Sequence, residues 1–149
     1  MIENLNGIHE TVKYKENSNV KLFINVEVED YPIHWHTPME IIMPLEGSYT
    51  VQIGDDLVHL NIIFIASGVK HRLIAPDTGK RLILQIEWSA VSKIKELNSI
   101  LTLIAPAITL TPETSGDIHS NIRKLLLDIA DEYQTDSFLS EAVIYSKML

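Results

Sequence analysis

The chain contains no cysteine in its 149 residues, which excludes disulfides and thiolate metal sites alike. It is also short of positive charge. Lys and Arg number 12 against 20 Asp and Glu, a net charge of −8. Nucleic-acid affinity rests on clustered Lys and Arg, and no basic helix is visible, so this stretch is not expected to grip phosphates by itself. Lys93, Lys95, Arg123 and Lys124 are mixed with acids and read as solvated faces. No apolar run is long enough to cross a bilayer. The opening Met1-Ile2-Glu3-Asn4-Leu5-Asn6 has neither the basic start nor the apolar run of a signal peptide. These absences point to a cytoplasmic protein with no membrane partner. Internal repeats and low-complexity stretches are missing too. Hydrophobic residues, at 46%, suffice for a real core, and the length suits one ordinary domain.

The pattern up to residue 88 is that of β-structure. Val20, Leu22, Ile24, Val26 and Val28 alternate with polar positions, as in a strand with one buried face. Met39 to Leu45 is strand-like and Glu46-Gly47 turns it. Tyr49 to Ile53 pairs back, Gly54-Asp55-Asp56 forms a hairpin tip, and Leu57 to Leu60 returns. Ile62 to Ala66, His71 to Ile74 and Leu82 to Trp88 complete a run of short strands that suits a sandwich or barrel. Beyond Trp88 the period becomes helical, with Val91, Ile94, Leu97 and Leu101 marking a helix over about 91–103. Ala107 to Leu110 reads as one last strand. Thr111 is placed as an N-cap with Pro112 in the first turn, opening a long helix whose face carries Ile118, Ile122, Leu125, Ile129 and Tyr133. A break at Gln134 to Ser137 precedes a second helix from about Phe138.

Four residues stand out chemically. His34 and His36, at i and i+2, share one face of an extended strand. Glu40 follows after a turn, and His71 arrives from a later strand just past Gly68. Three imidazoles and a carboxylate suit a divalent metal of the Zn, Ni, Mn, Fe or Cu type. Without metal they still form convergent polar groups in a pocket. Trp35 and Arg72 have the opposite parity and are expected to face away from it. Tyr49, Gln52 and Gln85 are further candidates for contacts to a small molecule. No other acid–base residue stands out beside the cluster.

The spacing His34-x-His36-x3-Glu40-x6-Gly47 resembles the first cupin motif, and Gly68-x2-His71 resembles the heart of the second. Ala66 stands where cupins usually carry proline, Ala75 where they carry asparagine, and Val28 replaces the glycine that opens the first motif. A narrower resemblance covers nearly the whole chain. His34-Trp35-His36, Glu40-Ile41-Ile42, Leu45-Glu46-Gly47-Ser48, Val51-Gln52-Ile53-Gly54, Asn61-Ile62-Ile63-Phe64-Ile65 and His71-Arg72-Leu73 look like the N-terminal sensing domain of AraC-type transcriptional regulators.

That resemblance implies a mainly β fold, a cupin-type double-stranded β-barrel (jelly roll) followed by C-terminal α-helices. It implies an effector-binding barrel over 1–110 with an N-terminal arm near the pocket mouth, and a helical dimerisation segment over 111–149. A helix-turn-helix part that contacts DNA is expected beyond 149. The effector would be a small polar molecule such as a sugar, bound among His34, His36, Glu40, His71, Tyr49 and Gln85. Leu125-Leu126-Leu127 makes the long helix apolar on more than one side, and a second apolar face usually meets a partner. A homodimer through Ile122, Leu125, Leu126, Leu127, Ile129 and Tyr133 is therefore expected. The rival expectation is a metal-dependent cupin enzyme, a dioxygenase or sugar isomerase, with the metal held by His34, His36, Glu40 and His71.

Overall fold

The computed structural model describes residues 2–26, 28–59 and 61–148; the side chains of Val91, Glu96, Leu97 and Ile100 lie outside the described set. Ten strands come first: β1 (Leu5–Asn6), β2 (His9–Glu10), β3 (Val20–Asn25), β4 (Tyr31–His34), β5 (Met39–Glu46), β6 (Thr50–Ile53), β7 (Asp56–His59), β8 (Ile62–Ile65), β9 (His71–Ile74) and β10 (Lys80–Ile86). Helices α1 (Trp88–Val91) and α2 (Lys95–Ile104) follow, then β11 (Ala107–Leu110), α3 (Pro112–Thr135) and α4 (Ser140–Met148). The strands form a five-stranded sheet ordered β11-β8-β5-β10-β3, a four-stranded sheet ordered β4-β9-β6-β7, and the small β1-β2 pair. This is the cupin-type double-stranded barrel with helices after it that the sequence predicts.

Alternation places the core. Ile42, Ile63, Ile65 and Ile83 of one sheet meet Tyr31, Val51 and Leu73 of the other in a buried cluster that also holds Tyr49. Fully burying such a side chain stabilises by about 1.5–3 kcal/mol. Gly47 turns the chain after β5 at φ +79°, where a Cβ would lie 2.5 Å from the Thr78 carbonyl oxygen. Only glycine accepts both the left-handed conformation and that close approach.

Several boundaries differ from the sequence reading. The alternating strand ends at Asn25, and Val26 and Val28 are exposed, so the apolar alternation outlasts the sheet partner. Trp88 opens α1 rather than closing β10. The helix expected over 91–103 is two helices, interrupted between Val91 and Lys95. Of its marker residues, Leu101 is buried, whereas the side chains of Val91 and Leu97 fall outside the described residues. The second C-terminal helix begins at Ser140, leaving Phe138 and Leu139 exposed ahead of it.

The chain divides into two compact units, Met1–Thr109 and Leu110–Leu149. In the second, Thr111 caps α3 by accepting a hydrogen bond from the Thr114 amide, and Pro112 sits in the first turn, as expected. Gly116 kinks this helix, at φ +44° and ψ −116°. The buried face is Leu126, Ile129 and Ala130; Ile118 is exposed. No helix among the described residues is long and apolar enough to cross a membrane.

Candidate functional site

Strand pairing brings the histidines together. His34 of β4 lies directly opposite His71 of β9, and their rings stand 4.3 Å apart. His36 follows two residues on and turns its ring to the same place, 5.1 Å from His71. Glu40 comes from the other sheet, on β5, and sits 3.1 Å from His36 Nε2 and 3.4 Å from His71 Nε2. All four side chains are buried. The convergence expected from spacing alone is thus realised across two sheets.

The imidazoles are each held in one orientation. The Nδ1–H of His34 donates to the Pro32 carbonyl at 2.8 Å, that of His36 to Pro38 at 2.9 Å, and that of His71 to Val69 at 2.9 Å. A ring nitrogen that donates to a carbonyl leaves the other nitrogen as the lone pair of the neutral ring. In each ring Nε2 is therefore the atom left to face the cluster, and that of His36 holds a proton toward Glu40, 3.1 Å away, which a metal would displace. Metal-binding histidines are typically fixed through the second nitrogen in this way. One nitrogen from each of the three rings lies within 4.8 Å of the others. His71 Nε2 is buried and has no partner at hydrogen-bond geometry among the described residues. The donor set, imidazole nitrogens with a neighbouring carboxylate, fits a borderline divalent metal such as Zn, Ni, Fe, Mn or Cu.

Electrostatics set His34 and His36 apart. Burial, reinforced by the neighbouring His71, pushes His34 down to about 4. Burial also opposes the charged form of His36, but the charge and hydrogen bond of Glu40 outweigh it and raise His36 to about 9. Glu40 in turn is held well below the usual carboxylate range, because the His36 charge and hydrogen bond overcome its burial. Without metal, His36 and Glu40 form a buried imidazolium–carboxylate pair.

The N-terminal arm supplies a residue that sequence reasoning missed. Glu10 on β2 is buried, and its carboxylate lies 3.8 Å from His34 Nε2. Burial, with the nearby Glu40 charge, raises its pKa. No local signal marks Glu10, since its position depends on the arm lying beside Trp35. There the Trp35 amide donates to the Ile8 carbonyl at 2.9 Å and the Glu10 amide to the Trp35 carbonyl at 3.0 Å. Trp35 does turn away from the histidines, but its partner is His9 of the arm, with rings 4.3 Å apart. Arg72 also points outward, pairing with Asp30 at 3.1 Å.

A cavity of about 840 Å³ opens beside the cluster, with His34, Glu40, Gln85, Glu10, Asn25 and Tyr31 in its wall together with arm residues such as Ile2, Asn4 and Lys13. The arm expected near the pocket mouth is therefore part of the wall. Gln85 is in this wall and donates to Glu40 Oε2 at 2.8 Å. Tyr49 belongs to the buried core cluster rather than to the cavity wall. Gln52 turns its amide to the Gly54 carbonyl at the hairpin end.

A second residue escaped the sequence reading. Arg81 is completely buried, yet none of its three guanidinium nitrogens has an acceptor among the described residues. Its carbon lies over the rings of Tyr31 at 4.5 Å and Tyr49 at 4.8 Å. A desolvated cation–π contact returns about 2 kcal/mol. Burying an ion costs several kcal/mol, and the N–H donors remain unmatched as well. Two rings therefore offset only part of the cost. The available signal was parity: Arg81 and Gln85, at i and i+4 on one strand, share a face.

No protein-family model matches this sequence, and no curated protein sequence matches it. Among solved structures, the chain is similar to a cupin-2 domain protein from Shewanella frigidimarina, at 19% identity over 49% of this chain and 76% of that one, with a TM-score of 0.44. It is similar to a putative ethanolamine utilization protein Q from Salmonella typhimurium, at 18% identity over 48% and 60%, TM-score 0.43. A mutant of Bacillus subtilis oxalate decarboxylase aligns at 20% identity over 50% of this chain and 22% of that one, TM-score 0.43.

Proposed function

We propose that the barrel is a small-molecule sensor, the effector-binding and dimerisation part of an AraC-like transcription regulator acting in the cytoplasm. The observation that carries the small-molecule reading is the cavity of about 840 Å³ walled by His34, Glu40, Gln85 and Tyr31. Ligand sites are concave, of about 300–1,000 Å³, with a few convergent polar groups. The regulatory reading rests on the sequence resemblance over nearly the whole chain, carried by the motifs between residues 34 and 73. The net charge of −8 supports a division of labour in which a separate helix-turn-helix part touches DNA. Effector binding shifts the population of arrangements that this part samples. His34, His36, His71 and Glu40 would hold a divalent metal, which supplies a Lewis-acidic centre for an oxygen of the effector.

The test has two arms. Compounds and metals that raise the melting temperature of the chain are found first; a binder at 100 times its Kd stabilises by about 2.7 kcal/mol. Mobility shift of the full regulator on its own upstream DNA is then measured with and without the hit. The expected result is a shift that changes with the compound, and no specific shift by residues 1–149 alone. A specific, salt-sensitive shift by this chain alone, or a coding sequence without a helix-turn-helix part, overturns the reading.

One observation favours a second reading, a metal-dependent cupin enzyme of the dioxygenase or sugar isomerase kind. Glu10 is a buried carboxyl with a raised pKa beside the histidines, which suits a general acid or base. Turnover that disappears in Glu10→Gln while metal stays bound would decide for the enzyme.

A further inference from the structure

We propose that Arg81 anchors a carboxylate group on the molecule that occupies the barrel. The inference rests on reading the cavity as a small-molecule site, and it specifies the class of ligand. Arg81 and Gln85 project from the same face of β10, and Gln85 is already in the cavity wall. Asn25, also in the wall, lies directly opposite Arg81 in the β3–β10 pairing. Tyr31 is shared: its ring lies 4.5 Å from the guanidinium carbon, it faces the cavity, and its hydroxyl accepts a 2.6 Å hydrogen bond from Asn25. Arg81 itself is buried outside the cavity wall, and the Tyr31 ring is shared between the guanidinium and the open volume, so a ligand reaches it past that ring.

The chemistry of the missing partner follows from what is present. The guanidinium carbon lies over the Tyr31 and Tyr49 rings, and none of its three nitrogens meets hydrogen-bond geometry with a partner among the described residues. Guanidinium N–H groups point outward in its plane, so an acceptor comes in at the edge. A planar carboxylate presents two oxygens at the spacing of that fork. Glu3, Glu10 and Glu40 outnumber Lys13 and Lys21 in the same cavity wall, so a singly charged carboxylate meets less repulsion than a doubly charged phosphate. The ligand then spans the barrel, with its carboxylate at Arg81 and a neutral polar end toward His34 and Glu40.

The experiment compares sodium propionate with propionamide, at ionic strength held constant with chloride, and inorganic phosphate as a third probe. Melting temperature and the side-chain Nε–H resonance of Arg81 are the readouts, on wild type and on Arg81→Met. Propionate is expected to raise the melting temperature and move the Arg81 resonance, while propionamide and chloride do neither. Arg81→Met should weaken propionate binding by roughly 10- to 100-fold, the loss of a charge-assisted pair. The variant should itself melt no lower than wild type, since it removes a buried charge of similar volume. Should Arg81→Met not fold, the wild-type resonance still decides between propionate and propionamide. Equal responses to the two, or a propionate response retained in the variant, overturn the inference. Tighter binding of phosphate than of propionate overturns the carboxylate assignment. Sorbitol stabilising both proteins while propionate is silent leaves the small-molecule reading standing and removes Arg81 from it.

Discussion

Gln85 and Glu40 face each other across neighbouring strands, and the Gln85 amide donates to Glu40 Oε2 at 2.8 Å. The pair is buried, so this amide orients a carboxylate that also contacts His36 and His71. Groups that orient metal ligands from behind commonly control affinity by 10- to 100-fold. Gln85→Leu is expected to weaken divalent-metal binding by roughly that factor, measured by competition with a chelator of known affinity. The metal-free variant should lose about 2 kcal/mol in urea unfolding, because a buried charge loses a donor. Unchanged metal affinity would show that Glu40 stays in place without Gln85.

Metal uptake should release protons. His36 is raised to about 9 and is charged at neutral pH, so its Nε2 must give up a proton before it can bind metal. Calorimetric titration with zinc in buffers of different ionisation enthalpy is expected to reveal about one proton released per ion, with near one equivalent bound and binding lost in His36→Ala. A titration independent of buffer would contradict the buried imidazolium–carboxylate pair.

The metal-free protein is expected to be most stable near neutral pH, with a loss on each side. His36 has a folded value of about 9 against an ordinary 6.5, so its contribution is complete below 6.5 and disappears as pH rises through 9. His34 has a folded value of about 4, so the unfolded chain takes up its proton first, and stability falls as pH drops from 6.5 toward 4. Each limb is worth about 3 kcal/mol at most, an order-of-magnitude figure from these shifts. Glu10, whose raised value has the opposite sign to a depressed carboxylate, offsets part of the acid loss. Urea unfolding across this range checks the shape. His34→Gln should flatten the acid limb, and an unchanged limb would refute the assignment to His34.

The C-terminal helices allow a sharp contrast. Leu126 is 3% exposed and Leu127 is 37% exposed in a single chain. Leu127→Glu is expected to shift a dimer toward monomer while leaving the circular dichroism and melting of the chain intact. Leu126→Glu buries an unpaired charge in the chain's own packing and should destabilise it by several kcal/mol. Light scattering at micromolar protein is the measurement. A wild-type monomer would show that Ile122, Leu125, Leu127 and Tyr133 are not an interface.

Local pattern determined much of this protein. Period-two alternation marked most strands, and Thr111-Pro112 marked the start of α3, because both depend on neighbours in the chain. The spacing of His34, His36, Glu40 and His71 announced a convergent site, since a fixed strand period leaves little freedom in where those side chains point. What lay beyond that reach depends on contacts between segments distant in sequence. Val26 and Val28 continue an alternation for which the described residues supply no strand partner, so the pattern alone overran the sheet at Asn25. Glu10 enters the site only because the arm hydrogen-bonds to Trp35. Tyr49 leaves the pocket for the core because its ring packs there against Arg81. Arg81 itself looks like any strand-edge cation in the sequence. Closure of the two sheets is what deprives it of water and, among the described residues, of a hydrogen-bond partner, because whether a charge is solvated is a property of the packed whole.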